Sequence, residues 1–324
     1  MMQEKISELE KVINRDYSNI TGMVVLKNGM RAYENYFHEY TAAHTLHVFS
    51  VTKSIVSLLI GIAVDKGLIK SADQKILEFF PDYKILPGEQ MLQKITIENL
   101  LTMTAPYKYE SEPFADFFAS ENWVRFALDL LGGDKPAGEF LYSPIIGAHV
   151  LSGIIANVTG RTVLDFASEY LFNPLEIYVP HNVEMESEEE YLTVMNDKNT
   201  SGWAVDPQGL NTASWGLFLR PADMAKIGQL LLNAGLWEGN RLVSGEWLEE
   251  STREHSKWGS LSYGYLWWVI DEKEHSYAAM GDGGNVIYVN TEKRIVVAIA
   301  ALFAPEVKDR IEFILKYVEP LFAD

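Results

Sequence analysis

Not one of the 324 residues is cysteine, and that absence removes disulfide staples, thiolate zinc sites and cysteine nucleophiles together. Long hydrophobic runs are missing too. The longest apolar stretch, Ile55 to Val64, contains Ser57 and Gly61 and falls short of the roughly 20 residues a membrane span needs. Positive charge is scarce: 27 lysines and arginines against 45 aspartates and glutamates leave a net charge of -18. Such a surface repels nucleic acid and anionic membranes, so neither is an expected partner. No G-x-S-x-G occurs, which excludes the nucleophile elbow of the α/β-hydrolases. His38, Glu39, His44 and His47 lack the spacing and the third ligand of a zinc site, and no metal or cofactor is expected. The opening residues, Met1 to Glu10, read as an acidic amphipathic helix with no basic segment leading into an apolar one. The expected location is cytoplasmic.

What is present is a mixture of two patterns. Ile6, Leu9, Val12 and Ile13 form the apolar stripe of a first helix. Met23 to Leu26 reads as a strand, and Asn28-Gly29 supplies the positive φ angles of a tight hairpin spanning Gly22 to Phe37. Residues 70 to about 225 read mainly as helices and loops: Thr96 to Thr102, Asn122 to Leu131, Ile145 to Val158 and Val163 to Leu171. After a helix ending at Leu232, strands return at Tyr265 to Ile270, Tyr277 to Met280, Val286 to Val289 and Arg294 to Leu302. A last helix is predicted from Pro305. The fold class that follows is α+β, an antiparallel sheet flanked by N- and C-terminal helices with a mainly helical lobe inserted. Residues 1–69 and 225–324 form the discontinuous sheet lobe and 70–224 the insertion, with the active site in the cleft between. The acidic run Glu184, Glu186, Glu188, Glu189 and Glu190 reads as a solvated loop or the rim of a lid.

Ser50-Val51-Thr52-Lys53 carries the chemistry. Alone, the spacing arises by chance about once in a chain of this length. Here it heads a helix running to about Lys66, whose Ser50, Lys53, Ser54, Ser57 and Gly61 share one stripe while Ile55, Leu58, Leu59 and Ile62 cover much of the rest. A lysine one turn on can fold back to the serine, and a desolvated amine can accept its proton. A surface Ser and Lys on an amphipathic helix is the competing structural reading. Tyr142-Ser143-Pro144 precedes the helix Ile145 to Val158, and a tyrosine there can reach the cleft as base and acid. A core tyrosine with a satisfied hydroxyl is its competitor.

The ordered segments Ser50-Val51-Thr52-Lys53, Leu100-Leu101-Thr102-Met103-Thr104, Tyr142-Ser143, Arg220-Pro221-Ala222-Asp223 and Tyr263-Gly264-Tyr265-Leu266-Trp267-Trp268 resemble the serine β-lactamase and penicillin-recognising fold. The similarity is to its class C and esterase branch, which includes 6-aminohexanoate-dimer hydrolases, and it covers nearly the whole chain. It implies a serine hydrolase that acylates Ser50, with Lys53 and Tyr142 sharing the base and acid work. The implied oxyanion hole is the backbone N–H groups of Ser50 and Asp282. The third motif of the family best matches Ala279-Met280-Gly281, with Asp282-Gly283-Gly284 as the alternative register. Ser143, Trp215, Gly281 and Gly283 are the candidate substrate contacts.

Two departures shape the expectation. No lysine begins the third motif, where relatives use a cation to hold a substrate carboxylate, and Pro144 stands where class C enzymes carry an asparagine. The expected substrate is therefore a small ester or amide. A β-lactamase or D-alanyl-D-alanine carboxypeptidase, and a catalytically silent binding or sensor protein on the same scaffold, are the alternatives. Oligomeric state and substrate identity are not legible in the sequence.

Overall fold

Asn28 and Gly29, at φ 52° and 78°, turn the chain tightly between strands β1 (Ile20–Lys27) and β2 (Met30–Tyr36). Both residue types tolerate the left-handed region, which is why this hairpin is legible in the sequence. The computed structural model describes residues 2–185 and 188–322. Beyond the first hairpin the sheet comprises β3 (Ser256–Trp258), β4 (Leu261–Tyr263), β5 (Trp268–Asp271), β6 (Ser276–Gly281), β7 (Asn285–Asn290) and β8 (Ile295–Ala301). Their order is β2-β1-β8-β7-β6-β5-β4-β3, and every neighbouring pair is antiparallel.

Period-two alternation splits the sheet between two cores. Met23, Val25, Tyr288, Val297 and Ile299 pack against helix α1 (Met2–Asp16) and the C-terminal helical segment carrying Phe313, Ile314 and Val318. Val24, Ile287, Val289, Val296 and Ala298 face the opposite core, with Ile55, Leu59 and Met224. Because both faces are covered, β7 and β8 are buried at every position, and their valines and isoleucines run without a polar alternation.

Helix α2 (Val51–Asp65) lies in the larger core, buried without interruption from Val51 to Ala63. It packs against β6, helix α3 (Ile146–Thr159) and the helix Gly245–Ser251. Each of its buried leucines and isoleucines contributes about 1.5–3 kcal/mol. Helix α4 (Pro221–Leu232) packs on β8, β7 and β1, which ties the chain from Pro221 onward to the sheet.

The structure differs from expectation in four places. The strand expected from Tyr265 begins only at Trp268, because Leu266 sits at φ 61° with its N–H donated to Leu101 O at 2.8 Å and its carbonyl accepting from Ser54 Oγ at 2.6 Å. The last helix starts at Arg310 rather than Pro305, since the Asp309 carboxylate caps the Ile311 and Glu312 amides at 2.7 and 3.0 Å. The β3–β4 hairpin was not anticipated. In the acidic run, Glu188 opens a helix, Glu188–Val194, while Glu184 remains exposed; Glu186 lies outside the described residues. Among the described residues no helix is long and apolar enough to cross a membrane.

Candidate active site

Ser50 stands at the N-terminus of α2, where the helix begins with bonds from Val51 N–H to Val48 O, Thr52 N–H to Phe49 O and Lys53 N–H to Ser50 O. The residue before it, Phe49, adopts φ 49°, a conformation a bulky side chain enters only at a cost of order 1–3 kcal/mol. Its ring is held between His47 and Phe303. Gly281, the last residue of β6, closes this turn from the side. A Cβ there would lie 2.4 Å from Val48 O and 3.1 Å from Ser50 N, so only glycine lets the end of β6 approach the serine. Asp282 follows with its side chain exposed.

One helical turn along, Lys53 is 2% exposed, and its Nζ donates to Ser50 Oγ at 2.7 Å and to Ser214 O at 3.2 Å. The amine also sits 5.7 Å from the centre of the Tyr142 ring. Burial pushes the Lys53 pKa from 10.5 down to about 7, against a smaller upward pull from the charges of Asp282 and Glu112. Tyr142 moves the other way. Burial pushes its phenol up to about 12, although a hydrogen bond to Ser50 draws it back, and Asp282 and Glu112 push it further up. Ser50 Oγ thus meets an amine made easy to deprotonate and a phenol kept protonated.

Tyr142 packs in a triangle of near-parallel rings, with Trp258 at 6.1 Å and Phe140 at 6.4 Å, and these two 6.5 Å from each other. Trp258 is 56% exposed and forms the outer wall. Beneath the loop, Glu112 Oε1 accepts from Ser143 Oγ at 2.9 Å, from the Ile145 N–H at 3.3 Å and from the Ile146 N–H at 2.6 Å. It caps the start of α3 and so fixes the backbone that carries Tyr142. Desolvation raises the Glu112 pKa, which those hydrogen bonds and Lys53 partly offset.

Ser50, Lys53, Tyr142, Gly281 and Asp282 therefore come together, and other sequence candidates do not. Ser143 is 1% exposed, with its hydroxyl engaged by Glu112, Tyr109 and the Gly147 N–H, so it braces the loop from inside rather than facing a substrate. Gly283 is buried against Leu302, where a Cβ would meet the carbonyl oxygen at 2.6 Å. Trp215 is 7% exposed within a cluster formed by Tyr191, His47 and Trp123, and supports the site through the neighbouring Ser214 carbonyl. Ala279 is wholly buried in the core beneath α2 and brings no charge to the site. Among the described residues no group of histidines and carboxylates is placed to hold a metal.

Sequence reasoning missed Glu112, Ser214 and Trp258. Glu112 lies thirty residues before Tyr142, and only the fold brings it beneath the loop. Ser214 acts through its backbone carbonyl, which no side-chain motif records.

Known proteins match this architecture along almost its full length. The beta-lactamase family profile covers residues 11–316. A 6-aminohexanoate-dimer hydrolase of Paenarthrobacter ureafaciens is 23% identical over 301 residues, which span 86% of this chain and 71% of that one. Among solved structures, an octameric penicillin-binding protein homologue from Pyrococcus abyssi superposes with a TM-score of 0.72 at 22% identity, over 96% of this chain and 76% of the other. A family VIII carboxylesterase gives 0.71 at 14% identity, over 97% and 96%. With nearly every residue inside the matched span and the fold shared throughout, the chain belongs to the beta-lactamase family.

Proposed function

We propose that this serine hydrolase cleaves a small ester or amide through an acyl-enzyme on Ser50. The observation that carries the reading is Lys53 Nζ at 2.7 Å from Ser50 Oγ, with the Tyr142 ring centre 5.7 Å from the same amine and its phenol under the influence of the same serine. The depressed Lys53 pKa supports a neutral amine that takes the Ser50 proton as Oγ bonds to the substrate carbonyl carbon. The carbonyl electrons pass to oxygen, and the amides of Ser50 and Asp282 stabilise that oxyanion. As the tetrahedral intermediate collapses, the bond to the leaving group breaks and Tyr142 delivers a proton to it, replenished from Lys53. Water then attacks the ester on Ser50 with the proton roles reversed. Lys53 and Tyr142 titrate as a coupled pair.

The relatives' names support the substrate class: a 6-aminohexanoate-dimer hydrolase and a carboxylesterase act on an amide and on esters. Ala279 argues against a substrate held by its carboxylate, as β-lactams and cell-wall peptides are, because the charge-assisted contact worth about 1.5–3 kcal/mol is missing. The reading includes a cytoplasmic address, supported by the shortness of the apolar runs and checked by cell fractionation. Ser50→Ala should abolish turnover of a p-nitrophenyl ester; retained turnover sinks the assignment.

A further inference from the structure

Arg310, at the head of the last helix, is a buried cation with no part in the proton transfers above. It is 4% exposed, and burial pushes its pKa down to about 10. The acids around it are engaged elsewhere: Asp16 is paired with Arg15 and Lys308, and the Asp309 carboxylate caps the Ile311 and Glu312 amides. The guanidinium donates instead to Asn19 Oδ1, to Lys308 O at 3.3 Å and to Gly283 O at 3.4 Å, while its buried Nε has no partner among the described residues. A cation in a first helical turn also opposes the helix dipole. A methionine of similar length would fill the space without these costs, so packing alone does not account for an arginine here.

What the guanidinium touches is the turn from Gly281 to Asn285. Gly284 lies directly on it, since a Cβ there would be 2.5 Å from Arg310 Nε. Asn19 relays the contact: its Oδ1 is held by Arg310, and its Nδ2 donates to Gly283 O at 2.7 Å and to Leu302 O at 2.8 Å. On the other side Asn285, wholly buried, donates to Asp282 O at 2.8 Å and to Ala301 O at 3.0 Å, and accepts from the Ala301 N–H at 3.0 Å. The two carbonyls that follow the Asp282 N–H are thereby pinned, and Gly281 before it pairs with Asn285 across β6 and β7. Gly283 and Gly284, at φ 72° and 84°, are the residues least able to hold such a turn unaided.

On the hydrolase reading above, we propose that Arg310 and Asn19 are positioning residues for the oxyanion hole: through Asn19 the buried guanidinium holds the Gly283 carbonyl, and so fixes the turn that aims the Asp282 N–H at the substrate oxygen beside Ser50. An oxyanion donor stabilises the transition state only where it is set in advance, and a displacement of about 1 Å costs on the order of a hundredfold in rate. Neither residue touches the substrate. Their contribution lies in the orientation they give to a group that does.

The test compares the wild type with Arg310→Met, Arg310→Lys and Asn19→Asp on p-nitrophenyl acetate and on its thiono ester, in which sulfur replaces the carbonyl oxygen and fits an oxyanion hole poorly. Rates are taken per active enzyme, counted by fluorophosphonate titration, and relative to hydroxide. Arg310→Met should lower kcat/KM for the ester about tenfold or more, mainly through kcat, and lower the ester-to-thiono-ester ratio about fivefold or more. Arg310→Lys should recover part of both. Asn19→Asp keeps an acceptor for Arg310 but loses the donor to Gly283 O, so it should fold and show the same fall in ratio. A merely structural role lowers the melting temperature and the active fraction while leaving the ratio intact, and that result overturns the proposal, as does a wild-type ratio equal to that of hydroxide. Should no variant fold, amide nitrogen relaxation of the wild type decides: order parameters of about 0.85 at Gly283 and Gly284 support the clamp, and values below about 0.6 overturn it. A wild type that hydrolyses the ester with a ratio the variants do not move defeats this inference alone, whereas one that neither labels nor hydrolyses defeats the hydrolase reading beneath it.

Discussion

Lys53→Met should cost the protein its activity and make it more stable, by an amount that depends on pH. Lys53 is buried and its pKa falls from 10.5 in an ordinary setting to about 7 in the fold. Between those values the unfolded chain binds a proton that the folded chain does not, so the stability of the wild type rises with pH across this window. Below about pH 7 the folded protein carries the full penalty of charging a buried amine, and above about pH 10.5 it carries none. Linkage gives a penalty of roughly 5 kcal/mol at about pH 6.5 and roughly 1.5 kcal/mol at about pH 9.5. Methionine has a similar length and never charges, so it escapes this dependence. Its other effects, the lost contacts to Ser50 Oγ and Ser214 O, do not vary with pH in the same way. The stability of Lys53→Met minus that of wild type should therefore be about 3 kcal/mol larger at the lower pH, read from urea unfolding at both. An equal difference at the two pH values would refute the claim that burial holds the amine near neutrality, and with it the case for Lys53 as base.

The same depressed pKa predicts that kcat/KM for a neutral ester climbs with pH through an apparent value near 7, and a flat profile across that range contradicts it. Glu112→Ala removes the acceptor of the Ile145 and Ile146 N–H groups and should lower stability by about 1–3 kcal/mol while loosening Tyr142, seen as a reduced melting temperature together with a reduced kcat. Gly281→Ala drives a methyl group to 2.4 Å from Val48 O, and the rate of fluorophosphonate labelling should drop by roughly tenfold or more while circular dichroism stays native. Gly61→Ala places a methyl 2.2 Å from Trp247 Cδ1 and should destabilise by about 1–3 kcal/mol in urea unfolding, by overpacking α2. A chromogenic cephalosporin should be turned over no faster than background, because no cation stands at Ala279; brisk turnover would contradict that reading.

What was legible in the sequence was whatever local spacing dictates. Ser50 and Lys53 meet because i and i+3 share a helix face, and the Asn28-Gly29 hairpin follows from two residues that accept positive φ. What escaped was set by partners far along the chain. Leu266 takes a left-handed conformation because Leu101 O and Ser54 Oγ hold its peptide, and nothing in the apolar run around it announces that break. Ser143 looked available beside Tyr142, but the side chain is turned inward by Glu112, thirty-one residues earlier. The β3–β4 hairpin was invisible because its strands are three residues each and expose Trp258 and Leu261, which spoils the alternation a half-buried strand displays. That hairpin nonetheless supplies the ring stacked on Tyr142.

The central claim is that the carbonyl carbon of the substrate becomes bonded to Ser50 Oγ. Quenching the enzyme with acid during turnover of a slow p-nitrophenyl ester, then measuring intact mass and mapping peptides, reads that bond directly. The prediction is one added acyl group per chain on the peptide containing Ser50, absent from Ser50→Ala. An acyl group on another residue, or full turnover by Ser50→Ala, would contradict it.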